Sequence, residues 1–261
     1  MKVIVTRPSA QGRDFIEQLH ARGVNAVALP LIGIEPLTDR TALLQVWTKL
    51  DETDLAMFVS ANAVQHFVDA RPAGMGWPKS IALASPGPGT SAALLAAGVP
   101  SAQLLAPPAG GPYDSDTLWQ VLRDRPWSGR RALVVRGEQG RDWLAEQLQQ
   151  AGAQVEFLAA YRRVAPIFGP DERALLADAQ ARPMDHLWHF SSSEGVEHLA
   201  RLAPGHDFDR SAALATHERI AETASRMGFG RVHLVGVGAQ AVADWLQVPD
   251  PGGPSIESAT P

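Results

Sequence analysis

Short apolar runs alternate along this chain with longer segments in which apolar residues recur every three or four positions. The short runs are bounded by Gly, Pro or Ser, which is typical of strands buried on both faces of a sheet. They lie at Val3–Arg7, Ala26–Ile34, Leu55–Ser60, Ile81–Ser85, Ala132–Gly137, Val155–Val164, His186–Ser192, Ala212–Thr216 and Val232–Gly238. Strands that alternate with amphipathic helices predict an α/β protein with parallel sheets.

Four of the segments with helical spacing end at a glycine. The glycines are Gly23, Gly98, Gly152 and Gly228. Glycine is the preferred residue just after a helix, because it adopts the left-handed conformation that ends the hydrogen-bond ladder. These positions therefore predict four helix ends.

The letters QGRD occur twice, at Gln11 and at Gln139, an offset of 139 − 11 = 128. Each copy follows an apolar strand that ends in Arg and precedes an amphipathic helix. Further along, Asp54–Val64 resembles Asp185–Val196, and Ser60 and Ser192 differ by 192 − 60 = 132. The near-constant offset predicts two copies of a unit of about 125 residues. The alternative is that any two α/β units share this order of elements.

Composition limits the class of protein. The chain has 261 residues, 45% hydrophobic and 20% charged, which suits one large globular domain or two small ones. It has no cysteine, which excludes disulfides, thiol nucleophiles and cysteine metal sites. A net charge of −5 without a dense Lys/Arg run disfavours nucleic-acid binding.

No apolar stretch reaches the ~18 residues of a membrane helix, and the first apolar run is too short for a signal peptide. We therefore expect a cytoplasmic protein that does not bind membranes. The last segment, Val248–Pro261, is rich in Pro, Gly and Ser and is predicted to be a disordered tail.

Candidate chemistry lies in the loops that follow the strands, where ligands of open α/β sheets bind. These loops are rich in Ser, Thr and Gly and lead into helix N-termini, which favours an anionic ligand. Ser85–Ser91 lacks both the Walker lysine and the Rossmann glycine spacing. His186 and His189 would face opposite sides of a strand, which disfavours a metal site. Tyr161 fits a core residue and a proton donor equally well.

Eight segments of the chain have a distinctive order and spacing. They are Val5–Pro8, Ala28–Pro36, Val59–Phe67, Gly87–Gly98, Tyr113–Leu118, Leu133–Arg163, Phe190–Leu199 and His217–Phe229. Taken together, these segments resemble the uroporphyrinogen-III synthase family. The resemblance covers nearly all of the chain except its tail.

The resemblance implies two flavodoxin-like parallel-sheet domains joined by a two-stranded β-ladder, with the active site in the cleft between them. It places one discontinuous domain at residues 1–35 plus 167–247 and the other at 37–154. The ladder would comprise 26–37 and 155–167, and the tail 248–261.

The resemblance also implies an activity. The enzyme would cyclise the linear tetrapyrrole hydroxymethylbilane to uroporphyrinogen III, as a carbon–oxygen lyase, with loss of water and inversion of the last pyrrole ring. No metal or organic cofactor is expected. We expect a monomer, with at most a transient contact with the preceding enzyme of the pathway.

Residue by residue, the resemblance makes Tyr161 the favoured acid. Substrate contacts are expected from residues in the loops that follow the strands, namely Arg7, Ser60, Asn62, Gly89, Thr90, Arg136, Gly137, Ser192, Ser193 and His217. One position departs from the family pattern: the second-half counterpart of Thr90 falls at Ile220. His217 or Arg219 is expected to supply the polar contact there.

The sequence leaves one rival function open, a non-enzymatic two-lobe binding protein for a small polyanionic ligand. It explains the repeat and the loops equally well. A phosphosugar-type isomerase is disfavoured, because the chain lacks the His/Glu/Lys acid–base set that such chemistry uses.

Overall fold

The computed structural model describes residues 1–110, 113–138 and 142–248. Of the predicted tail only Val248 is among them, and residues 139–141 of the second QGRD copy lie outside the described residues. The strands are β1 Lys2–Val5, β2 Ala26–Ala28, β3 Gly33–Pro36, β4 Leu55–Phe58, β5 Ala82–Ala84, β6 Leu104–Leu105, β7 Arg131–Gly137, β8 Gln154–Val164, β9 His186–Phe190, β10 Ala212–Ala215 and β11 Arg231–Leu234. The helices are α1 Ser9–His20, α2 Thr41–Thr48, α3 Ala61–Val68, α4 Pro88–Ala96, α5 Ser115–Leu122, α6 Trp143–Gln150, α7 Pro170–Ala181, α8 Ser193–Leu202, α9 Glu218–Arg226 and α10 Ala239–Gln247.

Contacts divide the chain into two compact units. Unit 1 combines Met1–Gly33 with the chain from Val164 onward, and unit 2 is Ile34–Arg163. The chain passes from one unit to the other twice, inside β3 and at the end of β8. The domain boundaries expected from the family resemblance remain predictions.

Unit 1 is built on a five-stranded sheet in the order β2-β1-β9-β10-β11. All four of its strand pairings are parallel. This is the flavodoxin-like 2-1-3-4-5 order. One apolar cluster contains Trp188 and Phe190, and another contains Leu187 with the apolar face of α1. The sheet is therefore covered on both faces, as parallel sheets require.

Unit 2 has a six-stranded sheet in the order β3-β8-β7-β4-β5-β6. The pairings from β8 through to β6 are parallel. Clusters around Phe58 and Phe67 on one face and Leu118 and Leu148 on the other form its core. The predicted fold class, α/β with parallel-sheet domains, is confirmed.

The two sheets repeat one pattern. In unit 1, β1 pairs with β2 and β9. Its counterpart in unit 2 is β7, which pairs with β8 and β4. The order β2-β1-β9-β10-β11 thus corresponds to β8-β7-β4-β5-β6. This correspondence supports the duplication. The sheet of unit 1 takes β1 and β2 from the first half of the chain and β9, β10 and β11 from the second half. The matching strands of unit 2 are β7 and β8 from the second half and β4, β5 and β6 from the first half.

The predicted strand at Ala26–Ile34 is wrong as a single element. The structure divides it into β2 in the first sheet and β3 in the second, with Leu29–Ile32 between them. Pro30 interrupts the ladder because it has no N–H to donate. The connecting segment is still held, since His198 Nδ1 lies 2.6 Å from the Leu31 carbonyl oxygen. The strand β6 was not predicted, because two residues carry no pattern.

The four predicted helix-ending glycines are confirmed. Each has a positive φ, at 76° for Gly23, 86° for Gly98, 94° for Gly152 and 101° for Gly228. A side chain at these positions would be strained, which explains why glycine occupies all four.

A histidine without hydrogen-bond partners lies in the core of unit 1. His189 is fully buried, and neither of its ring nitrogens has a partner among the described residues. Its ring stacks on Phe15 with 4.8 Å between centroids. Burial and the nearby Arg7 charge lower the pKa of His189 to about 3. The imidazole is therefore neutral in the folded protein, because a buried charge there would be uncompensated.

We expect His189 to make unit 1 acid-sensitive. The unfolded chain binds a proton near pH 6.5 and the folded chain only near pH 3, so this contribution to stability is complete above pH 6.5 and is lost as the pH falls towards 3. At pH 5 the loss amounts to about 2 kcal/mol. Urea denaturation of wild type and His189→Leu at pH 7.5 and pH 5 measures it, with the exposed His20→Gln as control. An equal acid loss in wild type and His189→Leu would contradict this assignment.

Candidate functional site

The residues expected to contact the substrate all lie at or near the carboxyl ends of parallel strands, where α/β proteins place their ligands. In unit 1 these are Arg7 after β1, Ser192 and Ser193 after β9, and His217 after β10. In unit 2 they are Ser60 and Asn62 after β4, Gly89 and Thr90 in the first turn of α4, Arg136 and Gly137 at the end of β7, and Tyr161 in β8.

Tyr161 owes its position to an irregularity in the sheet. Arg136 pairs with Ala159, but the next residue, Gly137, pairs with Tyr161, so one residue of β8 is skipped. Such bulges re-aim the side chains beside them. The Tyr161 ring then lies directly over Gly137, where an added Cβ would come within 3.1 Å of the ring. A side chain at position 137 would crowd the Tyr161 ring, so glycine suits this close approach.

The Tyr161 hydroxyl meets the hydroxyl of Ser60. Their oxygens are 3.2 Å apart, and Ser60 Oγ also accepts a hydrogen bond from the Ala63 N–H at 3.1 Å. Ser60 is thus the N-cap of α3. Either hydroxyl can donate in this pair, and a Ser60 O–H that donates stabilises negative charge on the tyrosine oxygen when the proton leaves.

His66 completes this group, although it was not among the residues predicted from the sequence. Its ring stacks on Tyr161 with 5.8 Å between centroids and 26° between planes. Burial lowers the pKa of His66, with a smaller lowering from Arg40 opposed by Asp69. A signal was available in the sequence: Asn62 and His66 are four residues apart, so they share one face of α3. We call Ser60, His66, Gly137 and Tyr161 the tyrosine cluster.

In the glycine-rich turn, the two predicted residues Gly89 and Thr90 differ in exposure. Thr90 is buried inside α4, whereas Gly89 is exposed and a Cβ built on it would meet no atom within 4 Å. Nothing within the described part of the protein requires glycine at position 89. The space above it is open to a ligand that approaches the N-terminus of α4.

Arg136 is not brought to the tyrosine cluster. Its guanidinium forms an ion pair with Asp142 and lies 4.2 Å from the ring centroid of Phe157. It also lines a cavity of about 120 Å³ with mainly apolar side chains, which are Met57, Val59, Pro86, Ser115, Leu118 and Leu144. Several of these belong to the opposite face of the sheet from Tyr161. Arg136 and Tyr161 therefore serve different surfaces of unit 2.

In unit 1, Arg7 links two loops at the carboxyl edge of the sheet. It donates to the Val237 carbonyl oxygen at 2.7 Å and lies 4.0 Å from the Phe15 ring centroid. Burial lowers the pKa of Arg7 to about 10, and the residue remains charged at neutral pH. Its Nε is buried and has no partner among the described residues.

In unit 1, the turns that follow β9 and β10 lie close together. Ser192 is the N-cap residue of α8, and Ser193 Oγ donates to the Arg219 carbonyl oxygen at 3.5 Å. His217 caps α9, with its Nδ1 accepting from the Arg219 N–H at 3.2 Å. An open cavity of about 560 Å³ adjoins this turn, lined by Thr216, His217, Glu218, Leu234, Val235 and Gly236.

Ile220, the counterpart of Thr90, is 6% exposed and belongs to the core of unit 1. It offers no polar group to a ligand. Of the two substitutes expected from the sequence, His217 lines the cavity itself.

The described ranges of the chain also bear on metal sites and membrane-spanning helices. Across residues 1–110, 113–138 and 142–248, no three His, Asp or Glu side chains form a group able to hold a metal ion. Within the same ranges, no helix has both the length and the apolar character needed to cross a bilayer.

The chain matches known proteins along most of its length. A family model described as uroporphyrinogen-III synthase HemD matches residues 13–234. Uroporphyrinogen-III synthase of Escherichia coli K12 is 28% identical over 239 residues, which covers 88% of this chain and 92% of that protein. The Salmonella typhimurium LT2 enzyme of the same name is 28% identical over 245 residues with the same coverage.

Two solved structures share the fold. A mutant uroporphyrinogen III synthase from Thermus thermophilus aligns with a TM-score of 0.57 at 18% identity, covering 95% of this chain and 96% of its own. The Helicobacter pylori 26695 synthetase aligns with a TM-score of 0.54 at 13% identity, covering 93% and 95%. Because the family model matches 222 of the 261 residues (234 − 13 + 1), this chain belongs to the uroporphyrinogen-III synthase family.

Proposed function

We propose that this protein is a uroporphyrinogen-III synthase, which closes hydroxymethylbilane to uroporphyrinogen III with inversion of the last pyrrole ring. Family membership over most of the chain supports this function. The observation in the structure that supports it best is the tyrosine cluster, in which the Tyr161 hydroxyl lies 3.2 Å from the Ser60 hydroxyl near the carboxyl edge of a parallel sheet. The rival function, a non-enzymatic binding protein, is not favoured, because the relatives are enzymes by name.

The first chemical step is the departure of the substrate hydroxyl. The carbon–oxygen bond breaks, the oxygen takes a proton from Tyr161 and leaves as water, and the electrons of the pyrrole nitrogen stabilise the resulting cation. The last ring then attacks this cation with the carbon that already bears its methylene bridge, which gives a spiro intermediate. The bond from that carbon to the bridge breaks, and the bridge methylene bonds to the free α-carbon of the same ring, so the ring is inverted. Rearomatisation releases a proton, which restores Tyr161, so the net change is the loss of one water. This sequence makes the enzyme a carbon–oxygen lyase.

Ser60 supports the proton transfer by its hydrogen bonds. Because the Ala63 N–H already donates to Ser60 Oγ, the serine O–H can turn towards the tyrosine oxygen as that oxygen becomes negative. A donor already aimed at developing charge lowers the barrier without costly reorganisation.

Helix N-termini supply the means to hold a substrate with eight carboxylates. In unit 2, the N-cap residues of α3 and α4 are Ser60 and Gly87, and in unit 1, those of α8 and α9 are Ser192 and His217. Their free N–H groups and dipoles attract anions without a basic surface, which agrees with the net charge of −5. Arg7 adds one fixed cation.

The remaining expectations stay predictions. They are the monomeric state, the cytoplasmic location, the transient contact with the preceding enzyme and the roles of the individual contact residues. Catalysis in this proposal uses the residues of the chain alone, without a metal or an organic cofactor.

The experiment that tests the function is an isomer assay. Purified protein is mixed with freshly made hydroxymethylbilane, and the uroporphyrinogen products are oxidised and separated as type I and type III isomers. We expect type III in excess over the type I that forms without enzyme. Type I alone would refute the function.

Replacement of Tyr161 by Phe should lower kcat on the order of 100-fold, because the ring keeps its contact with Gly137 while the proton donor is lost. KM and the unfolding midpoint should change little. Tyr113→Phe, which removes the other of the two tyrosines, serves as the matched control and should keep its rate. An unchanged rate in Tyr161→Phe would remove Tyr161 from the mechanism.

Replacement of Gly89 by Ala tests the approach of substrate to the α4 turn. Because the added methyl meets no protein atom, we expect stability to be unchanged or raised by up to about 1 kcal/mol. KM should nevertheless rise several-fold, because a close backbone contact with the substrate would be blocked. Steady-state kinetics and thermal unfolding measure both effects. An unaltered KM would show that the substrate does not lie against Gly89.

A further inference from the structure

Tyr161 is 5% exposed and belongs to the core of unit 2, where three groups contact its ring or its hydroxyl. Gly137 lies against its ring, Ser60 meets its hydroxyl, and the ring of His66 covers an aromatic face. The 5.8 Å centroid distance and 26° interplanar angle are within the range of offset-stacked ring pairs. Without the His66 ring, that face of Tyr161 would lose its packing partner on α3.

We propose that His66 is a positioning residue for Tyr161, and that only its neutral imidazole, stacked on the tyrosine ring, keeps the hydroxyl directed at Ser60. The inference rests on the proposed function of the tyrosine cluster. It adds a control by protonation to that cluster, because the state of His66 decides whether Tyr161 is held in place.

The surroundings of His66 favour the neutral ring. Burial lowers its pKa below the usual value, and the nearby charges oppose one another, with Asp69 raising the pKa and Arg40 lowering it. The neighbouring α4 and β4 carry no ionisable residue. On β7, the third element packed against α3, Arg131 pairs with Glu52 and Arg136 pairs with Asp142.

A proton on His66 works against the stack. The burial that disfavours the charged ring equally disfavours the packed position once the ring is charged. The imidazolium gains hydration by turning away from Tyr161, since His66 is only half-buried and has a route to water. The phenol then loses the ring stacked on it from α3, and its hydroxyl is directed at Ser60 less closely.

Steady-state kinetics distinguish positioning from simple packing. His66→Ala should lower kcat on the order of tenfold with KM little changed, because a misplaced catalytic group slows the chemical step. His66→Phe, which restores a flat ring that cannot titrate, should recover part of this loss. Wild type should lose activity as the pH falls through the pKa of His66, and His66→Phe should lack that acid limb, after the non-enzymatic reaction is subtracted in each buffer.

Substitutions of two charged residues near His66 should change its pKa while leaving its ring stacked on Tyr161. Asp69→Asn removes the group that raises the pKa of His66, so the acid limb should move to lower pH. Arg40→Met removes the group that lowers it, so the limb should move to higher pH. Both variants should match wild type at pH 8. A limb that stays in place in both variants, or that persists in His66→Phe, would overturn the proposal.

A measurement without substrate separates this inference from the proposed function. In a Tyr113→Phe background Tyr161 is the one remaining tyrosine, so its ring carbons give a single set of NMR signals. We expect these signals to shift with a midpoint below pH 6.5, and to stop doing so when His66→Phe is added. Signals that do not titrate would refute the role of His66 even if the isomer assay gives type III. A failed isomer assay beside a normal titration would instead refute the function.

Discussion

Each parallel sheet of this protein is complete only when both halves of the chain contribute strands to it. β1 needs β2 on one side and β9 on the other, and β7 needs β8 and β4. A parallel strand cannot leave its backbone groups unpaired in a buried sheet without a cost for each group. The pairing of strands from different halves is therefore the constraint on which both units depend.

The same constraint assembles the tyrosine cluster. Ser60 and His66 follow β4 in the first half, whereas Gly137 and Tyr161 belong to β7 and β8 in the second. They meet because β4 and β7 are neighbours in one sheet. The two offsets of the repeat, 128 and 132, place the counterpart of Tyr161 within residues 29–33 of unit 1, which carry no side-chain hydroxyl. The two units thus share a strand order, and they differ at the position that Tyr161 occupies in unit 2.

Sequence patterns predicted the elements whose cause is local. Apolar runs located the strands, and the glycines ending four helices were recognisable because a positive φ strongly favours glycine. The split of Ala26–Ile34 was missed because an apolar run does not show which sheet each part joins. The β6 strand was missed because it exists only through its pairing with β5.

For the candidate site, the sequence named residues but not their arrangement in space. Family motifs indicated Tyr161 and the loops, but they could not show that a skipped residue in β8 turns the ring onto Gly137. His66 was not predicted because a single histidine on an amphipathic helix is ordinary. Its contact with the Tyr161 ring, on a strand distant in sequence, is visible only in the structure. Arg136 matched a motif, yet it lies with the opposite face of the sheet.

The most direct test of this constraint divides the chain between the halves. A cut between the exposed Asp124 and Arg125 gives one fragment with β1–β6, Ser60 and His66, and another with β7–β11, Gly137 and Tyr161. The measurement is the yield of type III isomer from each fragment and from an equimolar, co-refolded mixture. We expect type III from the mixture and none from either fragment alone. Type III from a single fragment would contradict the dependence of the site on both halves.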